Sequence, residues 1–348
     1  GGFFSDPPPI ETDASRLRFC GFETFDSCPG CYFYTDALGR LFRSGDCAQS
    51  CTAFDLANGA ITSIDSTTFV GMDYVRILIL SDNELSHIDA SAFADLTRLN
   101  LLDLSRNTIR LVEPNSFFRL RALDRLLLGN NKLEHVGAGL LAGLKNLELL
   151  DLQRNQLSSF ETGAFSWVSE LKALKLSSNK ISYDALASVV LGEIHSVVEL
   201  ELDLNPIHTL PENAFSGATE LRFLNLSNSD VEEIEPGAFN GLPNLRRLRL
   251  DHNKLPAVVA NTFVGMPALQ VLEMHSSITT EIAPAAFNGL EDLQNLDLHG
   301  NTIMYIYENV FASFQHKSLE IDLSDNLIRQ IHEDAFGDEK YMHRLDLR

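Results

Sequence analysis

Apolar and polar residues alternate along this chain in a frame that repeats every 24 residues. Around the anchor residue Asn107, apolar side chains occupy positions −8, −5, −3, +2 and +5, namely Leu99, Leu102, Leu104, Ile109 and Val112. The residues at −6, −4 and −2 alternate with the apolar pair at −5 and −3, which indicates a strand with one buried face. One such strand is too short to close a core, so the repeat predicts stacked units joined by a parallel sheet.

The anchor is conspicuous because it is polar in a largely apolar frame. The anchors are Asn83, Asn107, Asn131, Asn155, Asn179, Asn205, Ser229, Asn253, Ser277, Asn301 and Asn326, and counting back 24 residues reaches Gly59. A buried Asn is costly unless its amide is bonded, so we expect it to bond backbone groups of its own turn and the next one. A Phe follows most anchors by ten residues, which predicts a stacked aromatic row.

The pattern LxxLxLxxNxLxxLxxxxFxxL, which spans residues 52–348, resembles the typical class of extracellular leucine-rich repeats. That class includes Toll-like receptor ectodomains, small proteoglycans, Slit-like guidance proteins and adhesion proteins. The resemblance implies an α/β solenoid, a leucine-rich-repeat horseshoe with a concave parallel β-sheet and an irregular convex side. It also implies two parts, an N-terminal extension and Cys-rich cap at 1–51 and a solenoid of about twelve repeats at 52–348.

All five cysteines lie in the first 51 residues, and they are Cys20, Cys28, Cys31, Cys47 and Cys51. This confinement is similar to the N-terminal cap of the family, which implies disulfides in an oxidising compartment. The spacing is also compatible with zinc, and the connectivity and the fate of the odd cysteine stay open. Between the cysteines, residues 32–34 and 41–43 read as a hairpin around a turn that ends at Gly39.

Two irregularities interrupt the repeat. In the sixth unit, residues 183–196 carry apolar side chains at helical spacing in place of the Phe motif, which predicts a short helix. At the other end, Leu345 and Leu347 begin a thirteenth unit, and no closing cap follows them. We therefore expect that the natural polypeptide continues past Arg348 or that another chain covers this edge.

The net charge of −21 argues against nucleic acid and anionic membrane surfaces as partners, and favours a basic protein or self-assembly. No stretch of about 20 apolar residues is present, so we expect no membrane insertion by this segment. Motifs for nucleophilic catalysis, phosphate binding and zinc hydrolysis are absent from the sequence, so we expect no enzyme and no cofactor.

Candidate partner-binding residues occupy the outward strand positions. The apolar candidates are Ile77, Ile79, Leu101, Leu127 and Leu149, which we expect to form one patch, either a partner surface or the periphery of the core. The ionic candidates are Phe223, Arg247 and Arg249, which stand beside acidic residues 199–203 and suit either a binding hot spot or a self-neutralising surface.

A histidine cluster is the third candidate. His275 and His299 share the −2 position of adjacent strands with Asp251, and Glu273 and Asp297 flank them. Such a group can share a divalent ion or change charge near neutral pH. Histidines beside acids are common on surfaces, so we expect no metal site.

One glycosylation sequon begins at Asn225, whose side chain we expect to point outward from the sheet and to carry a glycan. Taken with the resemblance, these features favour a secreted or cell-surface scaffold that binds protein in adhesion, extracellular matrix or assembly. The alternative is the ligand-sensing ectodomain of a Toll-like receptor.

Overall fold

The protein is a parallel-sheet solenoid of about 12 turns, as seen in a computed structural model that describes residues 28–314, 318–337 and 342–348. Contacts divide these residues into two compact units. The N-terminal unit holds residues 28–180 and 188–194, and the C-terminal unit holds 181–187 and the described residues from 195 onward. No helix in the described ranges is long and apolar enough to cross a membrane. A single solenoid over 52–348, with 1–51 as extension and cap, stays a prediction.

The cap begins with an antiparallel hairpin of strands Cys31–Thr35 and Arg40–Gly45, which confirms the predicted hairpin. Two disulfides hold it to the first turn: Cys28 pairs with Cys51, and Cys31 pairs with Cys47. Their Cα–Cα distances are 6.0 and 4.6 Å. Four of the five cysteines are therefore bonded as disulfides, and Cys20 lies outside the described residues.

Each turn contributes one short strand to the main parallel sheet. In the N-terminal unit these strands are Ala53–Asp55, Ile77–Ile79, Leu101–Asp103, Arg125–Leu127, Leu149–Asp151 and Ala173–Lys175. In the C-terminal unit they are Glu199–Glu201, Phe223–Asn225, Arg247–Arg249, Val271–Glu273, Asn295–Asp297, Leu319–Asp322 and Met342–Asp346. Residues one repeat apart lie side by side, as Ile77 does with Leu101, so the sequence period sets the register.

A second set of two-residue strands lies on the other side of the core. These are Ser63–Ile64, His87–Ile88, Leu111–Val112, His135–Val136, Ser159–Phe160, Thr209–Leu210, Glu233–Ile234, Ala257–Val258, Glu281–Ile282, Tyr305–Ile306 and Gln330–Ile331. The predicted aromatic row packs in the core of each unit. Phe69, Phe93 and Phe117 stack in the N-terminal unit, and the rings from Phe215 to Phe336 stack with centroids 5.3 to 6.3 Å apart.

The anchor Asn residues bond backbone groups as predicted, but they reach the preceding turn rather than the next one. The Nδ2 of Asn107 donates to the carbonyls of Leu80 and Leu104, both at 3.0 Å. Its Oδ1 accepts the amide hydrogen of Leu85 at 3.0 Å. The anchor is thus 7% exposed with both ends of its amide bonded, and it ties each turn to its predecessor.

The sixth repeat contains the predicted helical segment. It consists of a helix at Tyr183–Ala185, a π-helical stretch at Leu186–Val190 and a helix at Leu191–Glu193. Ser182 caps the first of these by accepting the amide hydrogen of Ala185.

Candidate binding surface on the parallel sheet

Side chains at the −6 and −4 positions of each repeat project from the main sheet, away from the apolar core. Within each strand the middle residue is fully buried, as Leu126 is between half-buried Arg125 and Leu127. This alternation is the consequence of the pleat. The outward residues that stay accessible are therefore free to vary without disturbing the core, and they form the candidate binding surface.

The apolar candidates do not form the continuous patch that the sequence predicts. Register places Arg125 between Leu101 and Leu149, because these three residues are partners on consecutive strands. Leu101 and Leu149 are also only 6% and 8% exposed, so they belong to the periphery of the core. Of the two alternatives, the periphery of the core therefore fits Leu101 and Leu149, and a partner surface stays a prediction for Ile77, Ile79 and Leu127.

What remains on this face is a set of three half-buried aliphatic side chains, of which Ile77 lies beside Leu101. Ile77 and Ile79 are half-buried, and Leu127 is half-buried between Asp103 and Asp151 on the adjacent strands. Burial raises the pKa of the Asp151 carboxyl, although the amide of Gln153 donates to it at 3.0 Å. The surface around Leu127 thus combines an apolar side chain with one partly desolvated carboxylate, that of Asp151.

The two candidate arginines pair with carboxylates, but these are Glu273 and Asp251 rather than the acidic residues at 199–203. Arg247 donates from Nε and Nη2 to both carboxylate oxygens of Glu273, at 3.0 and 2.9 Å. Its guanidinium also lies 5.5 Å from the centre of the Phe223 ring. Arg249 donates to both oxygens of Asp251 at 3.1 Å. Both arginines are therefore already neutralised, in agreement with the self-neutralising alternative.

Three histidines, rather than two, lie in contact in the C-terminal unit. The rings of His275 and His299 stack with centroids 4.8 Å apart, and the ring of His252 meets that of His275 edge-on at 5.0 Å. His252 was missed in the sequence because it occupies position −1, in the turn. Its left-handed backbone, with φ of 57°, and its contact with the preceding Asp251 at 2.9 Å were not visible in the repeat frame.

The two carboxylates of this cluster face different partners. Hydrogen bonds from Arg249 and His252 outweigh the effect of burial and hold the pKa of Asp251 below its usual range. Asp297 contacts the Nδ1 of His299 at 2.9 Å. Burial lowers the pKa of His275, and the nearby carboxylates do not compensate for it. The cluster therefore holds a neutral imidazole among charged neighbours at neutral pH.

The sequon residue Asn225 is not the exposed acceptor that the sequence predicts. Its side chain lies at a strand end with 6% exposure, and its Oδ1 accepts from the amide and hydroxyl of Ser227 at 3.0 and 2.8 Å. Neighbouring strands that carry Glu201 and Arg249 pair on either side of it. Glycosylation of Asn225 stays a prediction, but its structural premise is wrong.

Comparisons with known proteins agree with this architecture. A family profile described as "Leucine rich repeat" matches residues 50–107, 73–133 and 121–181. A second, described as "BspA type Leucine rich repeat region (6 copies)", matches residues 205–343. A search of curated proteins found no match.

Solved structures share the fold at low sequence identity. A leucine-rich-repeat protein of Leptospira interrogans superimposes with a TM-score of 0.67 at 23% identity, covering 86% of this chain and 79% of that one. Toll from Drosophila, in its complex with Spatzle, gives a TM-score of 0.72 at 18% identity. This match covers 85% of the present chain but 43% of Toll, so the chain spans less than half of that protein. An octameric complex of Latrophilin 3, Unc5D and FLRT2 contains a match with a TM-score of 0.63 at 21% identity, covering 78% and 84%.

Proposed function

Because the chain belongs to the leucine-rich-repeat family, we propose that it is a secreted or cell-surface scaffold that binds another protein through its sheet face. The two disulfides of the cap support an oxidising compartment. The observation that carries the proposal is the row of outward side chains whose identity the fold does not dictate. Ile79 and Leu127 keep apolar surface there, where a polar residue would serve the fold equally well.

Protein partners are present in two of the solved structures that share this fold. Toll was solved with Spatzle, and FLRT2 with Unc5D and Latrophilin 3. Adhesion, matrix organisation or assembly is the role that we infer from a scaffold of this kind. Because this chain has a net charge of −21, we favour as its partner a basic protein or a basic face of a second copy.

A second candidate function is the ligand-sensing ectodomain of a receptor. The fold match to Toll, which covers 85% of this chain, favours it. A membrane-spanning segment in the full gene product would support the receptor, whereas a second Cys-rich cap followed by a stop would support the matrix protein. We infer binding rather than catalysis in both cases, because the candidate residues lie along an extended sheet rather than in a closed pocket.

The test is to isolate the native assembly, identify the co-purifying chain and measure its affinity for the parent chain and for the Leu127→Asn variant. This variant removes the aliphatic side chain that lies between Asp103 and Asp151, and it adds no charge. We expect the affinity to fall at least about tenfold, as for an interface anchor. Leu111→Asn is the matched control, since Leu111 is 52% exposed but lies on a two-residue strand outside the main sheet.

Equal affinity of Leu127→Asn and the parent chain, with the same far-UV circular dichroism spectrum, would rule out the sheet face around Leu127 as the binding surface. A selective loss in Leu111→Asn would move the interface to the opposite side of the core.

A further inference from the structure

We propose that His275, Asp297 and His299 bind one divalent transition-metal ion of the zinc class on the sheet face of the C-terminal unit. The sequence favours no metal at these residues, because histidines beside acids are common on surfaces. Two structural observations change that inference: the ligand atoms converge, and a buried imidazole nitrogen has no partner.

The three side chains already lie within reach of a common ion. One ligand atom from each of them lies within 4.8 Å of the others. The Nδ1 of His299 is 2.9 Å from Oδ1 of Asp297. Zinc bonds of about 2.0–2.2 Å in tetrahedral geometry separate ligand atoms by roughly 3.3–3.5 Å. The imidazoles must therefore approach one another, and the side chain of His299, which is 37% exposed, has the freedom to rotate.

His275 supplies the second observation. Its Nδ1 is buried, and no hydrogen-bond partner for it exists within the described residues. Its Nε2 lies 3.6 Å from Oδ2 of Asp251. With Nε2 beside this carboxylate, Nδ1 is the nitrogen of His275 that we assign to the ion. A metal-bound imidazole whose other nitrogen faces a carboxylate is a recurrent arrangement at zinc sites.

Asp251 is suited to this supporting role rather than to metal binding. Its carboxylate is held by two hydrogen bonds from Arg249 and by His252, and its side chain is 1% exposed. A carboxylate fixed in this way orients the ring of His275. The cationic Arg249 on the same carboxylate makes Asp251 a poor direct ligand. Within the described residues, the Asp297 carboxylate is contacted by the amide and the ring of His299.

The donor set also indicates which ion the site would take. Two imidazoles and one carboxylate favour zinc, copper or nickel over calcium and magnesium.

The test uses the full chain without an added histidine tag, titrated with zinc chloride alone by isothermal calorimetry at about pH 7.5, above the ordinary histidine pKa. We expect one high-affinity zinc ion per chain. His275→Ala and His299→Ala should each weaken binding at least about tenfold, while magnesium and calcium should show no competition. With cobalt as a probe, the absorption bands of the bound ion should disappear in the same two variants.

Two variants serve as matched controls. His252→Ala removes the third imidazole, which contacts Asp251 but not the proposed ion. His87→Ala removes the centre of another group of potential ligands, formed with Asp89 and Glu113 in the N-terminal unit. His87→Ala should bind zinc within about threefold of the parent. His252→Ala should weaken binding less than His275→Ala or His299→Ala, since Arg249 still holds Asp251 by two hydrogen bonds.

Several results would overturn the assignment. A loss of binding in His252→Ala with retention in His299→Ala would place the ion at Asp251, His252 and His275 instead. Loss in His87→Ala alone would place it in the other unit. The absence of stoichiometric zinc binding to a correctly folded parent chain would refute the site altogether. None of these outcomes depends on the proposed protein partner.

Discussion

The two units place different residues at the same anchor position of the repeat. The N-terminal unit has Asn at all five positions from Asn83 to Asn179, whereas the C-terminal unit has Ser229 and Ser277 among its Asn residues. The Oγ of Ser277 donates to the carbonyl of Leu250 at 3.0 Å, which is the bond to the preceding turn that an Asn would make. A hydroxyl has only one hydrogen, so one anchor type cannot reproduce all bonds of the other.

The backbone changes where the anchor is Ser. Asp230 and Ile278, which follow the two Ser anchors, have left-handed φ angles of 51°. The amides of both Ser277 and Thr279 then converge on Oδ1 of Asn301, at 2.9 and 3.1 Å. The comparison teaches that the solenoid tolerates a weaker anchor when the next residue adopts an unfavourable conformation and the following Asn accepts an additional bond.

The largest effect should come from removing an Asn anchor. Asn107→Ala leaves the buried amide of Leu85 without its bond and removes one of the two Asn bonds to each of the carbonyls of Leu80 and Leu104, which keep those from Asn83 and Asn131. We expect a loss of about 3–5 kcal/mol in the free energy of unfolding, from one orphaned amide at about 1–3 kcal/mol and two lost hydrogen bonds at about 0.5–1.5 kcal/mol each. Ser277→Ala should cost less, about 2–3 kcal/mol, since it removes one bond donated to Leu250 and one accepted from the amide of Asn253. Urea denaturation of both variants checks this, and equal losses would contradict the distinction between the anchors.

A smaller change, this time an increase in the free energy of unfolding, should come from relieving the unfavourable backbone conformation of the residue that follows a Ser anchor. Ile278 is β-branched, left-handed and 54% exposed, so its side chain contributes little packing in return. Ile278→Gly should raise the free energy of unfolding by about 0.5–1 kcal/mol, because glycine adopts this φ without a Cβ clash.

The matched control for this change is Lys132→Gly, at the equivalent position after Asn131, where the backbone does not have positive φ. That variant should lose about 0.5–1 kcal/mol through the greater freedom of the unfolded chain. Thermal unfolding of the two variants should shift in opposite directions, and a shift in the same direction would refute the strain at Ile278.

The smallest effect concerns acid stability, where the sheet faces of the units differ because only the C-terminal one carries histidines at its −2 positions. The pKa of His275 is lowered from 6.5 in the folded chain, so on acidification this imidazole is protonated in the unfolded chain before it is protonated in the folded one. Its contribution to stability is complete above about pH 6.5 and is lost as the pH falls through the lower folded value. His252, His299, Asp251 and Asp297 face the same ring, and His275→Gln should therefore flatten, without abolishing, the fall in urea midpoint on acidification.

The sequence predicts the features that repeat in every unit, but it does not predict the burial of a residue that depends on side chains of the adjacent strands. Strand register, the Phe row and the bonded anchors follow from the spacing alone, because every unit repeats the same inward residues. The burial of Leu101 and Asn225 depends on the particular side chains of adjacent strands, which a frame read one unit at a time does not contain. His252 escaped because its position depends on a left-handed turn rather than on the strand.

The bonds of the anchors always reach one turn back, as from Asn107 to Leu80, and never depend on how many turns precede that one. Any unit can thus follow any other that presents the same carbonyl. Duplication or loss of a whole 24-residue module in the gene would leave every local bond intact and alter only the length of the sheet. Insertions of other lengths would break the pairing unless they are absorbed on the far side of the core, where the helical segment at 183–193 accommodates the longer sixth repeat. The gene can therefore adjust the extent of the binding surface in discrete steps without redesigning the core.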